Sequence, residues 1–121
     1  MKKIYHLSTC DTCKRIIKEL DVPSNFINQD IKTEAITLAQ IEELRTMTDS
    51  YESLFSKRAR LYKELGLKEK TVSEDDYKNY ILEHYTFLKR PIIIFNDNIF
   101  IGNSNKTIQA AKTAIHETII L

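Results

Sequence analysis

The sequence predicts an α/β domain: a mixed four-stranded sheet with helices on its faces, in the order βαβ, helical insert, ββα. Three observations point there. The chain opens with a short apolar run, Ile4, Tyr5 and Leu7, followed at helical spacing by Cys13, Ile16, Ile17 and Leu20. Late in the chain Pro91-Ile92-Ile93-Ile94-Phe95 reads as a buried strand, and the turn Asn96-Asp97 returns it as Asn98-Ile99-Phe100-Ile101. Between these two regions the apolar residues fall mainly at helical spacing.

Each element has a local cause. The first strand stops at Ser8-Thr9-Cys10, so the cysteine stands where the first helix begins. Val22-Pro23 ends that helix, because proline lacks an N–H and restricts its predecessor. Phe26-Ile27 marks a second strand, parallel to the first if the crossover is right-handed. The helical insert covers about residues 35–88. In it Thr37 and Gln40 form a capping box ahead of the stripe Leu38, Ile41, Leu44 and Met47. Tyr51 to Phe55 is a weaker segment. Leu61, Tyr62 and Leu65 make another stripe, closed by Gly66 at C′. Ser73 with Glu74, Asp75 and Asp76 starts an acidic-ended helix whose buried side reads as Tyr77, Tyr80, Ile81 and His84. Pro91 suits a strand start, where no ladder donor is needed. After Gly102, Asn103 or Ser104 caps a last helix carrying Ile108, Ala111, Ile115 and Ile119.

A chain of 121 residues is expected to form one domain, 1–121, burying about two-thirds of its unfolded surface. Hydrophobic residues at 42% and charged residues at 29% are ordinary globular composition, which excludes a disordered chain. Lys+Arg 18 against Asp+Glu 17 leaves +1, so no basic field is available for direct nucleic-acid binding. The longest apolar run, Ile92 to Phe95, is far short of a membrane span, and the start has no apolar stretch of signal-peptide length. A cytoplasmic, monomeric protein without membrane contact is expected.

The chemistry points to Cys10 and Cys13. In a reducing compartment a single Cys-x-x-Cys is rarely a structural staple, and at a strand-to-helix junction it reads as a redox pair. The free N–H groups of the first turn and the helix dipole stabilise a thiolate, so Cys10 is the better nucleophile and Cys13, one turn later, can resolve it. Lys14 and Arg15 add positive charge. Two other readings exist: a pair of small buried hydrophobes, or a zinc site with His6 as third ligand, for which a fourth ligand is distant in sequence. The expectation is no metal.

These residues carry a family resemblance over nearly the whole chain. The sequence resembles the arsenate reductase-related branch of the thioredoxin superfamily, which includes glutaredoxin-coupled arsenate reductases, Spx regulators and YffB-type proteins. Tyr5-His6 before Cys10 is similar to the reductase start, with Leu7-Ser8 where those enzymes have Asn-Pro. Cys10-Asp11-Thr12-x-Lys14 resembles YffB-type proteins, and Cys13 resembles the Spx switch. Leu54-Phe55-Ser56-Lys57-Arg58 with Leu65-Gly66-Leu67, then Leu88-Lys89-Arg90-Pro91 and Ile101-Gly102, follow the family pattern in order.

The resemblance implies a thioredoxin-like fold and thiol-dependent oxidoreductase activity. Cys10, Cys13, Arg58 and Arg90 become the expected catalytic residues, and His6, Thr12, Lys14 and Pro91 the expected substrate-side residues. His6 would support the thiolate, although it equally reads as an ordinary strand histidine. Arg58 and Arg90 would hold an oxyanion or a glutathione carboxylate, which guanidinium forks suit. Arg60 competes with Arg58 for that role, and a solvated surface is the other reading of either. Pro91 would be a cis proline beside the cysteines. No bound cofactor is implied; glutathione is the expected co-substrate, with glutaredoxin or thioredoxin as partner. The alternative function is an Spx-like redox regulator binding RNA polymerase. The chain departs from both relatives. The reductases' third Arg is replaced by the stretch Asn103-Ser104-Asn105-Lys106, Ser56 stands in the register of their insert Arg, and Ser50 stands where Spx proteins have Gly.

Overall fold

The computed structural model describes the backbone of residues 1–120 and the side chains of residues 1–117. The chain divides into two compact units, one formed by Met1–Glu34 with the chain from Arg90 onward, the other by Ala35–Lys89.

The first unit contains β1 (Lys2–His6), α1 (Asp11–Leu20), β2 (Ile27–Asp30), β3 (Ile92–Phe95), β4 (Asn98–Ile101) and α5 (Asn105–Ile120). Its mixed sheet has the order β2-β1-β3-β4, with β1 and β2 parallel and the other pairs antiparallel. This order explains the sequence pattern. β3 is interior, so Ile92, Ile93, Ile94 and Phe95 are all buried and read as one apolar run. β2 is an edge strand of sequence Ile-Asn-Gln-Asp, with Ile27 exposed. The apolar pair Phe26-Ile27 therefore only touches its start, and the rest of the strand is polar, with Asn28 exposed and Asp30 half-buried.

Alternation puts Ile4, Ile93 and Phe95 on the sheet face that packs with Ile16 and Leu20 of α1 and Ile108, Ala111 and Ile115 of α5. The expected contact of Ile119 lies outside the described side chains. α1 stops at Leu20, before Val22-Pro23, with Asp21 in the left-handed conformation at φ 46°. His116 Nε2 lies 2.6 Å from the Leu20 carbonyl oxygen, tying α5 to that helix end. Asn96, at φ 56°, supplies the turn between β3 and β4. Ser104 is the cap of α5: its Oγ accepts from the Thr107 N–H at 3.2 Å.

The second unit contains α2 (Leu38–Thr46), α3 (Arg60–Glu64) and α4 (Glu74–Glu83), with short 3₁₀ turns at Glu52–Leu54, Leu67–Glu69 and Tyr85–Phe87. The expected capping box of Thr37 with Gln40 forms, and the acidic start at Ser73 turns out to be a second box, closed by Asp76. Gly66, at φ 63°, follows α3 as the C′ residue. Its aromatic core centres on Phe55, with ring centroids 4.8 Å from both Tyr77 and Phe87. Three expectations fail here for one reason, that short helices leave their end residues outside the core. Leu38 is exposed at the start of α2, and Leu65 is exposed where α3 stops, with Leu67 buried beyond the glycine instead. His84 leaves the helix in an extended conformation and is exposed; Phe87 fills the core in its place.

Candidate functional site

The site is built at the first helix start of the first unit. Leu7 to Cys10 form a turn closed by the Cys10 N–H donating to the Leu7 carbonyl at 3.0 Å. Cys10 is the N-cap residue of α1 in extended conformation, and its carbonyl accepts the first helical bond, from the Lys14 N–H at 3.1 Å. At a cap the side chain faces the N–H groups of the second and third helical residues. Here those are Thr12 and Cys13. The Cys10 thiol is half-buried and Cys13 is fully buried.

Opposing effects act on the Cys10 thiol. Partial burial pushes its pKa up. The Cys13 backbone and side chain, the Thr12 backbone and the Arg90 charge pull it down, and together they prevail, leaving it below 9.0. The neutral sulfur makes no formal cap hydrogen bond; the N–H groups act on its anion. Burial pushes Cys13 up to about 11, and the neighbouring Cys10 adds to that rise against the Leu7 backbone and Arg90.

Arg90 comes to the cysteines from the segment just before β3, and Pro91 follows it at the strand start. Arg90 is half-buried, and its charge acts on both thiols. The Arg90–Pro91 peptide is cis, as the resemblance implied, and Pro91 is buried. The Pro91 carbonyl accepts from the Gly102 N–H at 3.0 Å, which anchors it to the end of β4. His6 ends β1, half-buried, and its carbonyl accepts from the Ile31 N–H at 2.9 Å. Thr12 is half-buried and meets Cys10 through its backbone; Lys14 is exposed on the first turn of α1. The structure thus gathers Cys10, Cys13, Thr12 and Arg90. Arg58 is an exposed turn residue of the second unit, and Arg60 pairs with Glu64 at 3.0 Å within α3. Among the described residues no three His, Cys, Asp or Glu side chains gather as metal ligands, and no helix is long and apolar enough to cross a membrane.

One residue of this region escaped the sequence reading. Asp30, at the end of β2, accepts from the Ser8 N–H at 3.1 Å, from the Lys32 N–H at 3.2 Å and from the Thr33 hydroxyl at 3.3 Å. The Ser8 side chain first, then the Ser8 N–H, and after them the Lys32 N–H and the Thr33 hydroxyl pull its carboxyl down to about 2. Only the parallel register of β1 and β2 places it there, so no local signal marks it.

The βαβ–ββα order, the cysteine pair at the first helix start and the cis proline opening β3 define a thioredoxin-like domain. The chain belongs to the ArsC family, whose model matches residues 5–111. It is similar to the global transcriptional regulator Spx of Bacillus subtilis, 25% identical over 113 residues covering 90% of this chain and 85% of that protein. In fold it is similar to an ArsC-family-related protein of Bacteroides fragilis, with TM-score 0.74 and 19% identity over 91% of this chain and 96% of that one. The arsenate reductase of Vibrio cholerae matches with TM-score 0.69 and 21% identity, covering 96% and 95% of the two chains.

Proposed function

We propose that this protein is a thiol–disulfide oxidoreductase in which Cys10 attacks and Cys13 resolves. The observation that carries the reading is the placement of Cys10 as the N-cap residue of α1, half-buried, with the buried Cys13 in the first turn; that placement draws the Cys10 thiol down and burial pushes Cys13 up. The Cys10 thiolate attacks one sulfur of a substrate disulfide. A Cys10–sulfur bond forms, the substrate S–S bond breaks, and the other substrate sulfur leaves as thiolate and takes up a proton. Cys10 then carries no charge, so one opponent of Cys13 ionisation is gone. Cys13 loses its proton and attacks Cys10 Sγ, releasing the second substrate thiol. Two electrons have passed to the substrate, and the protein is left as the Cys10–Cys13 disulfide.

Glutathione, directly or through glutaredoxin, or thioredoxin returns the pair to dithiol; no bound cofactor takes part. Arg90 holds the anionic group of the incoming thiol or substrate. His6, Thr12, Lys14 and Pro91 line the approach. The protein works as a cytoplasmic monomer. Turnover of disulfide substrates with glutathione and glutaredoxin, compared against thioredoxin, tests the reading. Cys10→Ser should abolish exchange, and Cys13→Ser should accumulate a mixed disulfide on Cys10. Full activity in Cys10→Ser would show the reading to be wrong. The similarity to Spx supports a second reading, a redox-sensing regulator that docks on RNA polymerase. Retention of the polymerase α C-terminal domain by this protein, changing with the oxidation state of the pair, would favour it.

A further inference from the structure

The turn that delivers Cys10 is held from outside itself. Its central residues, Ser8 and Thr9, are not among the described residues with positive φ, so the closed turn is type I. The Ser8 N–H has no acceptor inside such a turn, and it donates to Asp30 Oδ1 at 3.1 Å. Asp30 stands opposite His6 in the parallel register, where the Ile31 N–H fastens β2 to the His6 carbonyl at 2.9 Å. The Lys32 N–H and the Thr33 hydroxyl hold the same carboxylate, so its direction is set by its own strand end.

We propose that Asp30 is a positioning residue for Cys10, fixing the Ser8–Cys10 turn so that the sulfur faces the first N–H groups of α1. The proposal rests on the reading of Cys10 as an activated thiol. A serine at the second position of a type I turn keeps conformational freedom that a proline there would not have. A charge-assisted hydrogen bond to its N–H removes that freedom. The stabilisation that backbone N–H groups give an anion falls off within the first helical turn, so a turn that wanders weakens it.

The test uses two variants of equal charge. Asp30→Asn and Asp30→Ala both remove the carboxylate, but only asparagine keeps an acceptor for the Ser8 N–H. Iodoacetamide labelling of Cys10 across pH needs no substrate, so it separates this proposal from the proposed reaction. A wild-type Cys10 that titrates at the ordinary thiol value would sink the activated-thiol reading itself. With an acidic wild-type Cys10, Asp30→Asn should label at least as fast as wild type at about pH 6.5, well below the ordinary thiol range. Asp30→Ala should label several-fold more slowly than Asp30→Asn. Adding Ser8→Pro to Asp30→Ala, which presets the turn without needing an acceptor, should restore the rate. Equal labelling of the Ala and Asn variants, or no recovery with Ser8→Pro, overturns the proposal. If Asp30→Ala does not fold, the Ser8→Pro/Asp30→Ala protein decides. A folded chain with fast labelling supports the positioning role, and a second unfolded chain assigns Asp30 to general stability and overturns it.

Discussion

Cys10 and Cys13 share one helix start, yet their environments differ by a single turn of chain. Cys10 is half-buried and faces N–H groups; Cys13 is fully buried against the sheet side of α1. Since Cys10 titrates below 9.0, its labelling should rise with pH through a midpoint below that value, while Cys13 stays silent until far more alkaline conditions. Mass spectrometry of the alkylated protein reads both positions. Arg90→Ala removes a charge that favours the thiolate, so the Cys10 midpoint should move up and exchange at neutral pH should slow. Asp30 sets an acid limit. Its carboxyl ordinarily titrates near 3.8 and is held to about 2 in the folded chain. As pH falls, the unfolded chain takes up this proton first. The stability Asp30 contributes is complete above about 4 and is lost as pH drops through about 2. Circular dichroism over that window should show a shallower acid loss for Asp30→Asn than for wild type.

The elements of the second unit are short and depend on their ends. α4 begins with a reciprocal box: the Ser73 Oγ accepts from the Asp76 N–H at 3.2 Å and the Ser73 N–H donates to Asp76 at 3.0 Å. Ser73→Ala should therefore cost about 1 kcal/mol. Phe55 carries more. It is 1% exposed and has Tyr62, Tyr77, Tyr80 and Phe87 as ring neighbours. Truncation of a buried aromatic leaves a cavity as well as lost transfer energy, so Phe55→Ala should destabilise by about 3–5 kcal/mol. Urea unfolding followed at two wavelengths measures both variants. In the first unit the matching device is Ser104 at the start of α5, whose cap bond explains why the helix begins beyond Gly102.

At the scale of the molecule, membership in the ArsC family raises the question of arsenate. Attack of a thiolate on a tetrahedral dianion brings two negative species together and needs several fixed cations. This chain offers Arg90 beside the cysteines, whereas the stretch after β4, Asn103 to Lys106, has no guanidinium. Lys106 is a point charge without the bidentate fork. Loss of one preorganised donor costs on the order of a hundredfold in rate. A neutral disulfide makes no such demand. Arsenate turnover with glutathione and glutaredoxin should thus be weak while disulfide exchange proceeds. Rates equal to those of a dedicated reductase, abolished by Cys10→Ser and by Arg90→Ala, would contradict this.

What the sequence determined alone was whatever depends on near neighbours. The caps at Thr37 and Ser73 are four-residue patterns, and the cysteine pair meets its helix N–H groups within the same span. The interior strand β3 is legible because burial on both faces demands unbroken apolar residues. Tertiary structure decided the rest. The edge strand β2 is polar, so only its pairing with β1 makes it a strand. Leu38, Leu65 and His84 fit a helical stripe in the sequence, yet they sit at helix ends that the core does not reach. Arg90 acts on cysteines that lie far away in the chain, and Asp30 reaches Ser8 across 22 residues. Hydrogen bonds and charges act through space, and it is the strand order and register that set those distances.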